Sequence, residues 1–379
     1  MKITIATGIF PPEIGGPATY LKYLIPELKK RKWEVDVVTY GQKPVPGVTV
    51  ISRNLPFLFR LYVFFRAVVE KGKTSDVVFC TDTFSAGLPS VFAKKVLRKP
   101  LVIRFAGDFA WEHSTNQMWT KDPLNIFQKK KYTVKIELLK KTQKFVLKNS
   151  DGIMVVSDFL RKSAKNYGIR SCELVPNALP LKKVRIDRKK ARPRYGLSHD
   201  DFVFLSAGRI MNYKGFHELV TVFDKLSTAI PGAKLLIAGD GPEFDSLKQK
   251  VKSLENNRNI VLLGHIPEDK MNELMEISDV FVLNSSGETF SFVIYQALFH
   301  NLPVITTNVG AAPELVRNGK NGLLYDVGNV DKLKELIISV ARDKKLFEKL
   351  KKSRTRLPVW DALVKKTVKY VERIVGKRS

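Results

Sequence analysis

Residues Asn284–Gly310 read NSSGETFSFVIYQALFHNLPVITTNVG, and this stretch decides the fold that we predict for the chain. The apolar segment Val280–Leu283 before it predicts a strand, and Val304–Thr306 within it predicts the next one. Between these strands we predict an apolar helix from an N-cap at Thr289 to His300, where an Asn-Leu-Pro sequence ends it. A strand, a helix and a second strand in this order predict a βαβ unit of a parallel sheet.

The loop before this helix combines small residues with one acid, Glu288. At a helix N-terminus the backbone N–H groups lack internal partners and the helix dipole is positive, so the loop can bind an anion. An ordinary βαβ crossover without a ligand is the alternative, and the stretch alone does not decide between the two.

The composition is typical of a two-domain globular protein. The length of 379 residues favours two domains, and the 44% of hydrophobic residues exclude a disordered chain. Two cysteines, Cys80 and Cys172, are too few for a disulfide framework and predict a reducing compartment, the cytoplasm. Met1-Lys2 leads directly into a strand-like segment, so we expect no signal peptide, and no apolar run reaches the roughly 18 residues of a membrane span.

The charge is the unusual global feature. The chain has 65 lysines and arginines against 37 aspartates and glutamates, which gives a net charge of +28. Such a surface attracts polyanions: nucleic acid, anionic lipid or phosphorylated substrates. A generally lysine-rich proteome is the alternative explanation, so the charge by itself names no partner.

Strand-like and helix-like segments alternate through both halves of the chain. In the first half the predicted strands are Lys2–Thr7, Glu34–Tyr40, Val48–Ile51, Asp76–Cys80, Pro100–Phe105, Gly152–Ser157 and Glu173–Val175. In the second half they are Phe202–Ala207, Lys234–Ala238, Asn259–Leu263, Val280–Leu283 and Val304–Thr306. The longest helix predicted between them is Asn125–Lys148. Short β-rich runs that alternate with helices predict parallel sheets covered on both faces, and therefore an α/β protein with two doubly wound domains.

A junction rich in proline and basic residues, Pro176–Ser198, separates the two halves. We therefore predict an N-terminal domain at residues 1–178, a linker at 179–198 and a C-terminal domain at 199–357. A last helix within residues 358–379 can return to pack on the first domain.

The segment GRIMNYKG, Gly208–Gly215, follows the first strand of the second domain. Its cations Arg209 and Lys214 are spaced to converge on one anion at the carboxyl end of that strand. Arginine can bind two phosphate oxygens at once, whereas lysine supplies a mobile point charge. Two solvated surface cations are the alternative.

Two glycine-rich segments call for a comparison with known phosphate-binding loops. AGDGPE, Ala238–Glu243, is not a dinucleotide fingerprint because Phe244 stands where the third glycine is needed, and no P-loop sequence occurs. Hydride transfer from a nicotinamide cofactor is therefore not expected. The adjacent Gly15 and Gly16 precede the first helix and allow the backbone to approach a ligand, with a plain βα turn as the alternative.

Together these segments resemble the retaining glycosyltransferases of the family 4 type, which have the GT-B fold. The resemblance is carried by Gly208–Gly215, by Glu288–Gln296 and by Asn308–Leu324, which reads NVGAAPELVRNGKNGLL. The PPEIGGPA sequence at residues 11–18 and VPNA at Val175–Ala178 also fit, so the resemblance spans nearly the whole chain. It implies two Rossmann-like domains that face a central cleft, with the acceptor bound by the N-terminal domain and a sugar nucleotide by the C-terminal domain.

The resemblance also implies roles for the charged residues. Arg209 and Lys214 would clamp the diphosphate of the sugar nucleotide and stabilise the charge on it as it leaves. Glu288 would hold hydroxyl groups of the donor sugar. The reaction would be a substitution at the anomeric carbon with retained configuration and an oxocarbenium-like transition state. We expect no obligate metal or other cofactor, because no D-x-D triplet occurs and cations can do here what Mg²⁺ does elsewhere.

Uncharged groups would complete the donor site. The backbone N–H groups of Phe290, Ser291 and Phe292 would bind the distal phosphate at the helix start. By the same resemblance, Gly16 would lie against the diphosphate, and Gly239 would contact the nucleotide.

One departure from the family concerns the nucleotide. The backbone near Ile266 would contact the base, and a second acid eight residues after Glu288 would bind the ribose, but Gln296 stands there. A neutral amide has one acceptor oxygen and cannot accept from both ribose hydroxyls as a carboxylate does. We therefore predict altered nucleotide binding.

A second departure lies in RFAGDFAWE, Arg104–Glu112. The family often has a histidine near Ala106, which contacts the sugar close to the reacting carbon. Asp108 is our candidate for that catalytic role, although it can instead cap the next segment. Glu112 and His113 are further candidates.

Two segments of the N-terminal domain indicate the acceptor. Leu55–Lys73 is rich in aromatic residues with interspersed arginines, and Asn125–Lys148 is rich in lysine. Together with the charge of +28 they predict a peripheral enzyme at an anionic leaflet on the inner face of the membrane, acting on a lipid-linked or other glycan acceptor. A buried core helix is the alternative for the first segment, and a solvated helix face for the second.

Other functions remain open at this level. A nucleotide-sugar epimerase or a sugar-phosphate phosphorylase would need its own acid/base pair, and none stands out. A degenerate subunit that binds sugar nucleotides or glycans is a non-enzymatic alternative, motivated by Gln296 and by the absent histidine. Nucleic acid is not expected as a partner, because no recognised binding module accompanies the charge.

Overall fold

The computed structural model describes residues 1–226 and 229–377, which form two compact units. The first unit contains residues 1–114, 127–180 and 358–377, and the second contains residues 115–126, 181–226 and 229–357. Residues 115–126, which we assigned to the N-terminal domain, are thus part of the second unit.

The first unit is built on a seven-stranded parallel sheet in the order β3-β2-β1-β4-β5-β6-β7. Its strands are β1 (Lys2–Thr7), β2 (Glu34–Gly41), β3 (Thr49–Ser52), β4 (Val77–Cys80), β5 (Leu101–Phe105), β6 (Gly152–Val155) and β7 (Glu173–Leu174). Every residue of β4, β5 and β6 is buried, as expected for central strands with helices on both faces. The chain order reverses between β1 and β4, which is where doubly wound sheets open a crevice at their carboxyl edge.

Seven helices connect or flank these strands among the residues up to 180. They are α1 (Gly16–Lys30), α2 (Phe57–Gly72), α3 (Gly87–Leu97), α4 (Phe109–Asn116), α5 (Leu124–Phe127), α6 (Val134–Lys148) and α7 (Asp158–Asn166). The predicted long helix Asn125–Lys148 is therefore wrong, because the chain forms α5 and then starts α6 anew after Thr133. The three consecutive lysines at 129–131 lie in the break.

The second unit is built on a six-stranded parallel sheet in the order β10-β9-β8-β11-β12-β13. Its strands are β8 (Phe202–Ala207), β9 (Ala233–Ala238), β10 (Ile260–Gly264), β11 (Val280–Leu283), β12 (Val304–Thr307) and β13 (Gly322–Tyr325). The order reverses between β8 and β11, which pair through Val280 with Phe204 and Phe281 with Leu205. The prediction of two doubly wound parallel sheets is confirmed.

Helices cover the second sheet and bury an apolar core against it. They are α8 (Arg188–Ala191), α9 (Phe216–Asp224), α10 (Phe244–Lys252), α11 (Glu268–Ile277), α12 (Phe292–Phe299), α13 (Ala312–Leu315), α14 (Val330–Arg342) and α15 (Lys344–Lys352). Phe204 of β8 packs edge to face on Phe223 of α9, with ring centroids 5.6 Å apart, and both rings are buried. The core therefore fixes the position of the sheet, and with it the loops that follow the strands at the carboxyl edge.

The last helix, α16 (Trp360–Gly376), belongs to the first unit. Trp360 packs edge to face on Tyr23 of α1 at a centroid distance of 5.9 Å. The hydroxyl of Tyr370 accepts a hydrogen bond of 2.9 Å from the N–H of Ile153 in β6. The chain thus returns from the second unit to the first before it ends.

The aromatic helix α2 is only partly buried. Its buried residues lie in its middle and last turns, among them Phe64 and Val68, whereas Leu58, Phe59 and Tyr62 are 76%, 53% and 52% exposed. Among the described residues, no helix is both long and apolar enough to cross a membrane. The beginning of α2 therefore presents apolar side chains on the surface of the first unit.

Candidate functional site

The candidate site lies at the carboxyl edge of the six-stranded sheet, where the chain order reverses between β8 and β11. Open parallel sheets bind their ligands at such points. The loop after β8 carries Arg209 and Lys214, and the loop after β11 carries Glu288. Since the two strands are neighbours, residues far apart in the sequence meet here.

The loop of Lys214 is fixed against the start of the Glu288 loop. Asn212–Lys214 forms a short 3₁₀ helix that ends at Gly215 with a φ of 67°. A Cβ atom at Gly215 would lie 2.0 Å from the backbone oxygen of Asn284, so only glycine fits this approach. The carbonyl of Tyr213 accepts a hydrogen bond of 2.7 Å from the N–H of Ser286. The two loops therefore hold each other in register.

The charged side chains of the two loops form an ion pair. Lys214 Nζ lies 2.6 Å from Glu288 Oε1, and the two side chains are only 15% and 4% exposed. The ammonium group has three N–H donors and the carboxylate has two oxygens, so each partner keeps bonding capacity beyond the pair. Removing two charges from water is unfavourable, and such a pair is weak evidence for stability alone.

The loop after β12 also holds the backbone of Glu288. The carbonyl of Glu288 accepts a hydrogen bond of 2.6 Å from the N–H of Ala311. Gly310 has a φ of 58°, and a Cβ atom there would lie 2.0 Å from the same carbonyl oxygen. Both the left-handed conformation and the contact require glycine at this position.

Helix α12 begins beside this pair. The N-cap predicted at Thr289 is wrong, because Ser291 takes that position and its Oγ accepts from the N–H of Ile294 at 3.4 Å. Phe290 and Phe292 flank the cap with ring centroids 5.7 Å apart. The first N–H groups of a helix have no partner within the helix, so the turn at Phe292 can supply donors to an anion.

The other residues predicted for this site have different surroundings. Arg209 is exposed, and its side chain has no hydrogen bond or ion pair within the part of the chain that the structure describes. Gln296 is buried on α12, Gly239 follows β9 and donates its N–H to the carbonyl of Gly264 at 2.7 Å, and Ile266 follows β10. Gly16 begins α1 and belongs to the first unit.

Asp108, the candidate catalytic acid of the first unit, is fully buried. Its carboxylate accepts hydrogen bonds from the N–H of Trp111 at 3.2 Å, from Gln128 at 3.0 Å, from Gln143 at 3.2 Å and from the Tyr167 hydroxyl at 3.2 Å. Burial and the charge of Asp108 raise the pKa of Tyr167 well above its usual range. Of the two roles considered for Asp108, this geometry favours the cap of α4.

The neighbours of Asp108 are less buried. His113 of α4 stacks on Phe109 with ring centroids 5.5 Å apart and an interplanar angle of 14°, and partial burial lowers the pKa of its imidazole. Glu112 lies beside Gly107, where a Cβ atom would meet its Oε1 at 3.1 Å. Ala106 directly follows β5. The imidazole of His113 is thus partly exposed, unlike the buried carboxylate of Asp108.

Sequence reasoning missed Asn284 as an organiser of the site. Its buried amide donates to Glu218 Oε2 at 2.6 Å, and its Oδ1 accepts from the Tyr325 hydroxyl at 2.7 Å. Through these bonds the end of β11 is tied to α9 and β13. In the sequence, the feature that could have indicated this role is that Asn284 directly follows the four apolar residues Val280–Leu283.

Two models of known families match this chain. Residues 14–183 match the model described as Glycosyltransferase Family 4, and residues 187–356 match the model described as Glycosyl transferases group 1. The matches correspond in order to the two halves that the repeated strand pattern predicts.

Individual proteins resemble the chain as well. N-acetyl-alpha-D-glucosaminyl L-malate synthase of Bacillus anthracis is 31% identical over 164 residues, which are 43% of this chain and only 42% of the relative. Alpha-monoglucosyldiacylglycerol synthase of Acholeplasma laidlawii is 24% identical over 357 residues, which cover 89% of this chain and 87% of the relative.

A solved structure shares the fold. The crystal structure of Anabaena HepE in complex with UDP-glucose superposes with a TM-score of 0.74 at 19% identity, and the match covers 100% of this chain and 98% of that one. The two family models, matched in sequence order, agree with the two parallel sheets and with this shared architecture. This chain belongs to the GT-B glycosyltransferases of the family 4 type.

Proposed function

We propose that this glycosyltransferase transfers a sugar from a nucleotide-diphosphate sugar, UDP- or GDP-linked, to an acceptor with retention of the anomeric configuration. The observation that carries the proposal is the pair of the partly buried Lys214 and the buried Glu288 at the reversal point between β8 and β11. A cation and an acid held together there match the two chemical parts of such a donor, an anionic diphosphate and a polyhydroxyl sugar.

The pair divides its remaining bonding capacity between those two parts. Lys214 keeps two N–H donors for phosphate oxygens while the third binds Glu288, which keeps its second oxygen for a sugar hydroxyl. Arg209 has no partner among the described residues and can close on the diphosphate as a second cation. The N–H groups at the start of α12, around Ser291, would bind the distal phosphate.

The proposed reaction uses these groups. The bond between the anomeric carbon and the diphosphate oxygen breaks, the oxygen of an acceptor hydroxyl bonds to the same face of the sugar, and the proton of that hydroxyl passes to the departing diphosphate. Negative charge that develops on the departing phosphate is stabilised by Lys214, which Glu288 holds in place before the reaction starts, and by Arg209 once it has closed on the diphosphate. Because these cations meet the leaving group, we propose that no metal ion or other cofactor is obligatory.

The rest of the nucleotide would extend along the edge of the same sheet. Gln296 on α12 would lie at the ribose, Ile266 after β10 at the base, and Gly239 after β9 between them. HepE, the solved structure that shares the fold, contains UDP-glucose, which supports a nucleotide sugar as donor.

The first unit would bind the acceptor, and we propose that the acceptor is a lipid-linked glycan or glycolipid at the cytoplasmic face of a membrane. The exposed Leu58, Phe59 and Tyr62 of α2 and the lysines of α6 combine apolar and cationic surface, which suits adsorption to an anionic leaflet. The name of the Acholeplasma laidlawii relative, a monoglucosyldiacylglycerol synthase, supports a lipid acceptor.

A panel of sugar nucleotides tests the donor. We expect one of them to raise the thermal unfolding temperature of the wild-type chain, because a ligand that binds only the folded state stabilises it. The same donor should be hydrolysed or its sugar transferred when acceptor is present. Binding without turnover would instead support the degenerate subunit, and a changed donor sugar without transfer would support an epimerase.

Flotation with anionic and neutral liposomes tests the membrane. We expect the protein to float with anionic vesicles and to be released by salt, since the cationic surface supplies the attraction. Absence of salt-sensitive binding would contradict the membrane part of the proposal and leave the donor part intact.

A further inference from the structure

Four aromatic rings of the first unit form one column, which we call the aromatic column: Phe57, Phe84, Phe109 and His113. Phe84 and Phe109 are stacked with centroids 4.4 Å apart and an interplanar angle of 6°. Phe57 continues the stack at 6.4 Å from Phe84, and His113 continues it at 5.5 Å from Phe109. All four residues are partly or largely exposed. The column is therefore a surface feature and not part of the core.

The column stands at the carboxyl edge of the seven-stranded sheet. Phe57 is the first residue of α2, Phe84 lies between β4 and α3, and Phe109 is the first residue of α4. In a parallel sheet, helices that follow strands begin at the carboxyl edge, which is also where doubly wound domains bind ligands. Three separate loops thus converge to build a feature that no single sequence motif encodes.

Buried hydrogen bonds fix the column. The Oε1 of Gln143, a fully buried residue of the lysine-rich α6, accepts from the Thr83 hydroxyl at 2.9 Å and from the N–H of Phe109 at 3.0 Å. Asp82 Oδ1 accepts from the N–H of Phe84 at 2.9 Å. The two central rings are therefore positioned by their backbones and are preorganised for contact with a ligand.

The stacking bears on which ligand the column can take. Phe84 and Phe109 cover the facing sides of each other's rings, and Phe57 and His113 extend the row with larger offsets. The result is a row of partly exposed apolar rings contributed by three loops. Such a row offers apolar contact along its length, which suits a flexible alkyl chain.

The surroundings of the column match a lipid that carries negative charge. At one end, Phe57 is continuous with the exposed Leu58 and Phe59 of α2. The guanidinium of Arg60 lies 5.7 Å from the centroid of the Phe57 ring and donates to the carbonyl of Arg53 at 2.7 Å. Arginine at the apolar entrance is complementary to a phosphate attached to the chain. The other end of the column is His113.

We propose that the aromatic column binds the alkyl or isoprenyl chain of an anionic lipid acceptor and guides it from the α2 surface towards the carboxyl edge of the sheet. The inference rests on the proposed function and deepens it, since it names the side chains that hold the apolar part of the lipid acceptor.

Calorimetric titration with dodecyl phosphate and hexyl phosphate, both below the micelle concentration, tests this assignment on the full chain. We expect wild-type protein to bind dodecyl phosphate at least about tenfold more tightly than hexyl phosphate, because each methylene removed from water adds affinity. The double variant Phe84→Asn/Phe109→Asn should bind dodecyl phosphate at least about tenfold more weakly. Equal affinity of wild type and this variant would overturn the inference.

Two further variants test whether binding depends on the column itself, on exposed aromatic surface in general, or on a loss of folding. Phe92→Asn/Phe145→Asn changes another exposed aromatic pair of the same unit, with centroids 6.2 Å apart, and should leave the affinity within about twofold. Phe84→Leu/Phe109→Leu keeps apolar contact and should retain most of the affinity. An equal loss in the Phe92 and Phe145 pair, or a loss in the leucine pair as large as in the asparagine pair, would contradict an alkyl-chain site on the column.

The donor experiments keep this inference distinct from the proposed function. Lys248→Ala, which changes an exposed residue of α10 in the second unit, should bind dodecyl phosphate like wild type. If no sugar nucleotide binds and no transfer occurs, the proposed function fails whatever the alkyl phosphates do. If a donor binds and the asparagine pair keeps wild-type affinity for dodecyl phosphate, only the column assignment fails.

Discussion

Lys214 Nζ lies 2.6 Å from Glu288 Oε1, although 73 residues separate the two in the sequence and both side chains are largely removed from water. The pair exists because β8 and β11 are neighbours in the sheet and their loops are clamped through Gly215 and Asn284. An apolar pair of similar size would often be as stable, so the charges are better explained by the ligand chemistry they serve.

Replacing Lys214 with alanine should abolish most of the transfer activity. We expect turnover to fall at least about 100-fold, because a preorganised cation at the leaving group is lost. The free energy of unfolding should also fall by about 3 kcal/mol, since the variant leaves the Glu288 carboxylate buried without its partner. Initial rates and denaturant titration measure both effects, with the exposed Lys248→Ala on α10 as the control. Near-normal turnover of Lys214→Ala would contradict the assigned role.

Gly310→Ala should displace Glu288 and destabilise the second unit. The new methyl group would lie 2.0 Å from the Glu288 carbonyl oxygen, in addition to adopting a φ of 58°. Gly319→Ala is the matched control, because Gly319 also has a positive φ, 72°, but faces open space. We expect about 1 kcal/mol of lost stability at Gly319 and a clearly larger loss at Gly310, together with reduced donor affinity only at Gly310. Equal effects in both variants would show that backbone strain alone matters.

The repeated strand pattern was sufficient to predict the two sheets, and the charged motifs singled out Lys214 and Glu288, the two residues that form the ion pair. Arg209, Lys214 and Glu288 lie in the loops that follow two apolar runs, and the alternation of apolar strands with polar or glycine-rich turns shows where such loops are. The contact between Lys214 and Glu288 was not predictable in detail, because it depends on the reversal of strand order between β8 and β11.

Features that arise from packing across loops were not predictable. Gln143 looked like one more polar residue in a lysine-rich segment, yet it is fully buried and connects the loops of Phe84 and Phe109. The N-cap of α12 was misplaced by two residues, since both Thr289 and Ser291 suit a cap and local preference does not separate them. Such choices are made by tertiary contacts that a single sequence does not display.

Asp108→Asn should lower stability more than chemistry. The carboxylate accepts from four donors, among them Gln143 and the Tyr167 hydroxyl, and an asparagine would turn an NH₂ group towards some of them. We expect the free energy of unfolding to fall by about 1–3 kcal/mol, while turnover per folded molecule stays within a few-fold of wild type. Denaturant titration and initial rates on the same preparation distinguish the roles. A large loss of turnover at unchanged stability would favour the catalytic role first considered for Asp108.

The imidazole of His113 should titrate below the ordinary histidine value of about 6.5, because partial burial disfavours its charged form. A depressed pKa in the folded state means that the unfolded chain binds the proton more readily. Stability from this group is therefore present above the unfolded pKa and is lost as the pH falls through the folded one. An NMR titration, with the resonance assigned by its absence in His113→Gln, measures the midpoint. A midpoint above 6.5 would contradict the burial argument.

Gln296→Glu should tighten donor binding if Gln296 lies at the ribose. The present amide offers one acceptor oxygen, whereas a carboxylate offers two and makes stronger, charge-assisted bonds to both ribose hydroxyls. Gln296 is buried on α12 and its side-chain amide has no hydrogen-bond partner among the described residues, so the substitution breaks no existing bond. We expect the dissociation constant of the sugar nucleotide to fall by about tenfold, measured by calorimetry at a pH where the new acid is ionised. An unchanged or weaker affinity for the sugar nucleotide, with an unchanged melting temperature of the free protein, would show that the ribose binds elsewhere.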